Sequence, residues 1–217
     1  MKLNPKTVSI LKNFSTINPS ILIKPGSTLK TISPTKTVMA MAEIPDTFDN
    51  MFAIYNLSQF LACISMFNNP ELEFSSSSVS VSDGNRSIVY HYADPSVVLA
   101  PPDKDIVLPS KDAKFRLENK DIQDVTKALG ILGLPELAVT GDGTNIILQA
   151  VDSKNQSTNH YSIIVGETSK VFRAIFKAEN LKMTAGDYDV TLSSKGISYF
   201  QGIEASYYIA IEASSTF

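Results

Sequence analysis

One cysteine, two histidines and no tryptophan are all this chain offers of the rarer residue types, and each shortage removes a class of function. A lone Cys63 cannot close an internal disulfide or assemble a zinc set, and it fits a reducing compartment. His91 and His160 have no neighbours at metal-ligand spacing. His91 falls in an alternating strand pattern and reads as structural. No apolar run is long enough to cross a bilayer, and the first residues lack the apolar core of a signal peptide. A cytosolic chain without a membrane partner is expected.

Charge of one sign is also missing. The formal net charge is −3, and no basic tail or acidic block appears. Any positive surface that meets nucleic acid must therefore be local. Catalytic patterns fail in turn. Gly141-Asp142-Gly143 lacks the glycine spacing and lysine of a phosphate loop. Ser75, Ser76, Ser77 and Ser78 lack a nucleophile-elbow context and read as a solvated strand face. The carboxylate pairs Asp103/Asp105 and Asp187/Asp189 sit in turn-rich segments, and Cys63 borders an apolar helix stripe as a small core residue. The expectation is a protein that is not an enzyme and uses no cofactor and no metal.

What is present is a repeated pattern. In residues 114–148 a short extended run precedes a helix with Ile122, Val125, Leu129 and Leu132 on one stripe. Lys120, Gln123, Asp124 and Lys127 fall on the other side, and Gly133 and Pro135 stop the helix. Strand signals on both sides of Gly141-Asp142-Gly143 make a hairpin. The same order starts near Asn4-Pro5, where Ile10, Leu11, Phe14 and Ile17 form the stripe and Lys6 and Lys12 lie away from it. It starts again at Asn56, with Leu57, Phe60, Leu61, Ile64 and Phe67, and a fourth time as a short helix over 177–182.

One such unit cannot bury both its helix stripe and its strand face; two stacked as helix on sheet can. The fold class expected is α+β, two similar domains, each with two helices packed on antiparallel sheets. Residues 1–93 form the first domain and 113–217 the second. Residues 94–112, with four prolines, form the connector between them. A β-rich structural protein, such as a virion component, fits the same layered pattern.

The ends narrow the reading. Met1-Lys2-Leu3, the run Ile10-Leu11-Lys12-Asn13-Phe14-Ser15, and Ser206-Tyr207-Tyr208-Ile209-Ala210 resemble the DNA polymerase sliding clamps of T-even-type tailed phages. The Tyr-Tyr-aliphatic-Ala run also resembles the eukaryotic and archaeal clamps. The resemblance implies a ring of six domains, hence a homotrimer in the host cytoplasm that encircles double-stranded DNA and tethers the polymerase. An ATP-driven clamp loader, and service with RNA polymerase-associated factors in late viral transcription, are implied with it. Lys6, Lys12, Lys120, Lys127, Lys177 and Lys182 would face DNA. Partner peptides would enter a pocket formed by Val98, Leu99, Ile106, Tyr208 and Ala210. By position in the repeat, the edge strands at 88–92 (Ile88, Tyr90, Tyr92) and 161–165 (Tyr161, Ile163, Val165) would join subunits.

Overall fold

The structure, a computed structural model, describes residues 1–104, 106–155 and 157–217, so the Asp105 half of the first carboxylate pair lies outside the described residues. The chain divides into two compact units, Met1–Asp103 and Lys104–Phe217, and the division falls inside the proline-rich stretch.

In the first unit, α1 (Pro5–Ile17) begins where the Asn4 side chain accepts from Lys6 N–H at 2.9 Å and Pro5 takes the first helical position. It buries Thr7, Ile10, Leu11, Phe14 and Ile17. Next come β1 (Ile21–Ile23), β2 (Gly26–Ile32), β3 (Val38–Phe48) and β4 (Phe52–Ile54), with β1 paired to β4 and β2 to β3. Helix α2 (Leu57–Ser65) follows, and Asn56 caps it by accepting from Gln59 N–H at 2.9 Å. Leu57, Phe60, Leu61 and Ile64 are buried, and α1 and α2 pack together.

A three-stranded sheet ends the unit: β5 (Glu71–Phe74), β6 (Ser78–Asp83) and β7 (Arg86–His91), in that order. Ser75, Ser76 and Ser77 form a turn here, contrary to the expected strand face, and only Ser78 of the run lies in a strand, at the start of β6. Ser75 Oγ accepts from the N–H groups of Ser77 and Ser78, which closes the chain between β5 and β6. Short hydroxyl side chains compete in this way with ladder hydrogen bonds.

The second unit opens with β8 (Ala113–Leu117) and α3 (Asn119–Leu132). Gly133, at φ 62°, ends the helix in the left-handed region, and Leu134 N–H reaches back to Leu129 O at 2.9 Å. Strands β9 (Glu136–Asp142), β10 (Asn145–Val151), β11 (Tyr161–Glu167) and β12 (Val171–Lys177) form a sheet ordered β11-β10-β9-β12. Strands β13 (Tyr188–Ser193), β14 (Ile197–Gln201) and β15 (Ser206–Ala210) pair in sequence, and β13 also pairs with β8. Phe176, Tyr188, Phe200 and Tyr207 fill the core in edge-to-face contacts, with ring centroids 5.9–6.3 Å apart.

The helix expected over 177–182 is absent. A single 3-10 turn, Ala178–Asn180, stands there, so the described residues carry three α-helices. Lys177 still belongs to β12, and Ala178 N–H is committed to Pro135 O at 2.8 Å. Thr184 N–H goes to Tyr207 Oη at 3.1 Å. With Ala178 N–H spent on a neighbouring element and the N–H groups of Leu181 and Lys182 closing only short local bonds to Ala178 O and Asn180 O, a segment this short cannot meet the cost of starting an α-helix.

Candidate functional site

The lysines meant to meet DNA sit in unequal settings. Helix α1 carries exposed Lys12 and half-buried Lys6 with no acidic residue along its length. Helix α2 presents only Ser58, Gln59, Ala62, Ser65 and other uncharged residues. On α3, Lys120 and Lys127 are exposed, but half-buried Asp121 and Asp124 flank them. Lys177 ends a strand and Lys182 follows the 3-10 turn, so neither lies on a helix as expected. Lys6, Lys12, Lys120, Lys127 and Lys177 form no ion pair with the described residues, so these ammonium groups are available to an anion.

The connector residues divide between the units. In the first, Val98 is buried and Leu99 is 37% exposed, and Asn18 Nδ2 donates to Leu99 O at 3.3 Å and Ile32 O at 2.9 Å. In the second, Tyr208 Oη donates to Ile106 O at 3.0 Å while its ring stacks on Tyr199 with centroids 4.7 Å apart. Ile106 and Tyr208 are thus brought together, and Ala210, half-buried, ends β15 opposite Ile197. Val107, which the sequence did not single out, is 83% exposed beside Ile106.

Strands β7 and β11 each end their sheet. Tyr90 Oη donates to Asn56 O at 3.1 Å and its ring meets Phe60 edge-on, so Ile88 and Tyr90 turn toward α2. Tyr92 stacks on Phe52, at 4.9 Å, in the wall of a cavity of about 320 Å³ that Phe48 and Phe74 also line. Its hydroxyl is enclosed with no hydrogen-bond partner, and burial pushes its pKa up to about 12. Beside β11, Tyr161 joins Ala128, Ile131 and Leu132 of α3 around a groove of about 450 Å³. Leu132, expected inside, is 37% exposed, and Ile131 is 73% exposed. Ile131 lies off the helical stripe, so periodicity alone passes over it.

Among the described residues, no group of His, Cys, Asp or Glu could hold a metal and no helix is long and apolar enough to cross a membrane. His91 is exposed on β7, and Cys63 is half-buried.

Comparison with known proteins follows this division of the chain. Residues 2–100 match the family model described as DNA polymerase processivity factor, and residues 114–213 match the one described as gp45 sliding clamp, C terminal. The sliding clamp of Vibrio phage KVP40 is 36% identical over 98% of this chain and 100% of its own length. That of Enterobacteria phage T4 is 33% identical over 100% of this chain and 99% of its own. Among solved structures, A. fulgidus PCNA bound to the C-terminal region of FEN-1 superposes with a TM-score of 0.70 at 12% identity, covering 95% of each chain, which speaks to the fold.

Proposed function

The chain belongs to the sliding-clamp family of T4-type phages, and from that membership we propose that three copies close into a ring around double-stranded DNA. Its role is that of a DNA polymerase processivity factor. The family sets aside the reading as a virion component. The observation that carries the ring is the pair of unlike free edges, β7 in one unit and β11 in the other. An edge that meets a different edge on the next copy propagates head to tail and can close.

Within that ring the helices face the duplex, and Lys6, Lys12, Lys120 and Lys127 screen its phosphates. Two uncompensated lysines on α1, none on α2 and a diluted pair on α3 amount to weak attraction. Each neutralised phosphate adds salt-sensitive affinity, and a tightly gripping lining would not slide. Enclosure, rather than affinity, retains the DNA. A ring must be opened to be placed, which is the task of an ATP-driven loader. A mobile ring can also serve late viral transcription through factors attached to RNA polymerase.

Partner peptides dock beside Ile106 and Tyr208, where an exposed Val107 and the stacked Tyr199 and Tyr208 offer apolar surface around a tyrosine hydroxyl. The A. fulgidus clamp holds a partner's C-terminal region, which supports a peptide seat in this fold. The decisive experiment combines mass with topology. The solution mass should be three times the 23.7 kDa of one chain. Clamp loaded on closed circular DNA should be retained and then lost when the circle is cut. Equal retention on linear and circular DNA would refute enclosure.

A further inference from the structure

The three-stranded sheet that ends in β7 and the four-stranded sheet that ends in β11 each have their other end occupied by a terminus of the chain. Leu72 N–H on β5 donates to Met1 O at 2.7 Å, and the Met1 ammonium group donates back to Leu72 O. Arg173 on β12 exchanges hydrogen bonds with Thr216, at 2.8 and 2.9 Å, and Phe217 stacks on Phe172. An occupied edge cannot template another strand. In these two sheets β7 and β11 are what remains.

Their side chains restrict how they can meet. On β7, Ile88 and Tyr90 face the helix side, while Val89 faces the other way and is 55% exposed. On β11, Tyr161, Ile163 and Val165 are half-buried, Tyr161 lies beside α3, and Ile164 is 62% exposed. The strand pairs within either unit are antiparallel among the described residues. Opposed residues in such a pair share a face. Keeping the helix-side residues together permits only every second register. One of these sets Val89 against Ile164, Ile88 against Val165, Tyr90 against Ile163 and Tyr92 against Tyr161. A slide of two residues faces Val89 with Ser162 or Gly166 instead and leaves Ile164 opposite Ser87 or His91. The bulge in the β10–β11 pairing, where Ile146 faces Gly166 but Ile147 faces Ile164, disturbs the alternation past Val165, so the match spans five residues.

Resting on the ring reading above, we propose that β11 of one copy pairs with β7 of the next in the Val89–Ile164 register. Tyr161 of the incoming copy then stands opposite Tyr92, beside the cavity of about 320 Å³ where the Tyr92 hydroxyl has no partner. The cavity is closed only when two copies meet. The apolar pair Val89–Ile164 leaves water on the opposite face.

Cysteine cross-linking in the full chain, with Cys63→Ser as background, reads the register directly. Val89→Cys with Ile164→Cys should form intermolecular disulfides under mild oxidation at least tenfold faster than Ser87→Cys or His91→Cys combined with Ile164→Cys. Each single variant should form none by this route. Faster linking by a shifted pair overturns the register while the trimer stands. A trimeric mass with no linking by any pair overturns the β7–β11 contact itself. A monomeric mass, measured before any oxidation, defeats the ring reading instead.

Discussion

Helix α2 and the 3-10 turn Ala178–Asn180 hold corresponding places in their units, after a strand and before a hairpin, yet only α2 closes helical turns. Helix α2 has an asparagine whose side chain accepts from the free Gln59 N–H in its first turn, and four apolar residues that reach the core. The turn has Lys177 at the capping position, with no side-chain bond, and buries Asn180 rather than an apolar stripe. Position in a repeat therefore does not make a helix; a cap and a buried stripe do. Helix α3 takes a third route. Its capping residue Glu118 makes no side-chain bond, and Asp187, distant in sequence but just ahead of β13, which pairs with β8, accepts from Asn119 N–H at 2.9 Å.

The hardest test of the comparison is to hollow each core separately. Phe14→Ala and Phe176→Ala remove fully buried rings, one per unit, and each should cost about 3–5 kcal/mol. In urea titrations followed by unit-specific probes, each should lower the transition of its own unit more than the other's. Equal lowering of both would mean that the units unfold as one.

Backbone crowding comes next in size and belongs to the second unit. A Cβ on Gly202 would lie 2.6 Å from Tyr188 Cε1 and 2.7 Å from Ala205 O, whereas one on Gly26 or Gly84 in the first unit meets nothing within 4 Å. Gly202→Ala should destabilise by about 1–3 kcal/mol, because the Ala205 carbonyl cannot swing aside as a side chain could. A thermal scan showing no loss would mean that the β14–β15 hairpin is free to shift.

The smallest effect contrasts the helix starts. Asn56→Ala should cost about 1 kcal/mol at any moderate pH, since an amide does not titrate. The start of α3 should instead depend on acid. Asn119 N–H, and then the Arg116 guanidinium, hold the Asp187 carboxyl below its usual range. A carboxylate held down in the folded state contributes stability fully above its unfolded pKa of about 3.9 and loses it as pH falls through the lower folded value. Asp112 behaves alike, held down by the Ser110 hydroxyl and the Ser194 N–H. Urea midpoints taken from pH 6 to pH 2 should fall for the second unit, and Asp187→Asn should flatten its share of that fall.

Much of this was legible from local chemistry. Asn4-Pro5, Asn56 and Gly133 announced helix ends that the structure places within a residue or two. Alternation gave the hairpin on both sides of Gly141-Asp142-Gly143. The missed features depend on partners distant in sequence. The 3-10 turn follows from a bond to Pro135 O, and the Tyr92 cavity gathers residues from four separate stretches of the chain. The serine run failed for a different reason, since serine suits a solvated strand face and a tight turn equally well.

Because Met1 and Thr216 are woven into sheets rather than trailing free, an affinity tag or fluorophore fused at either end competes for hydrogen bonds that shield β5 and β12. A label would sit more safely in the exposed turn between β2 and β3, at Pro34, Thr35 or Lys36, where no sheet depends on the chain ending.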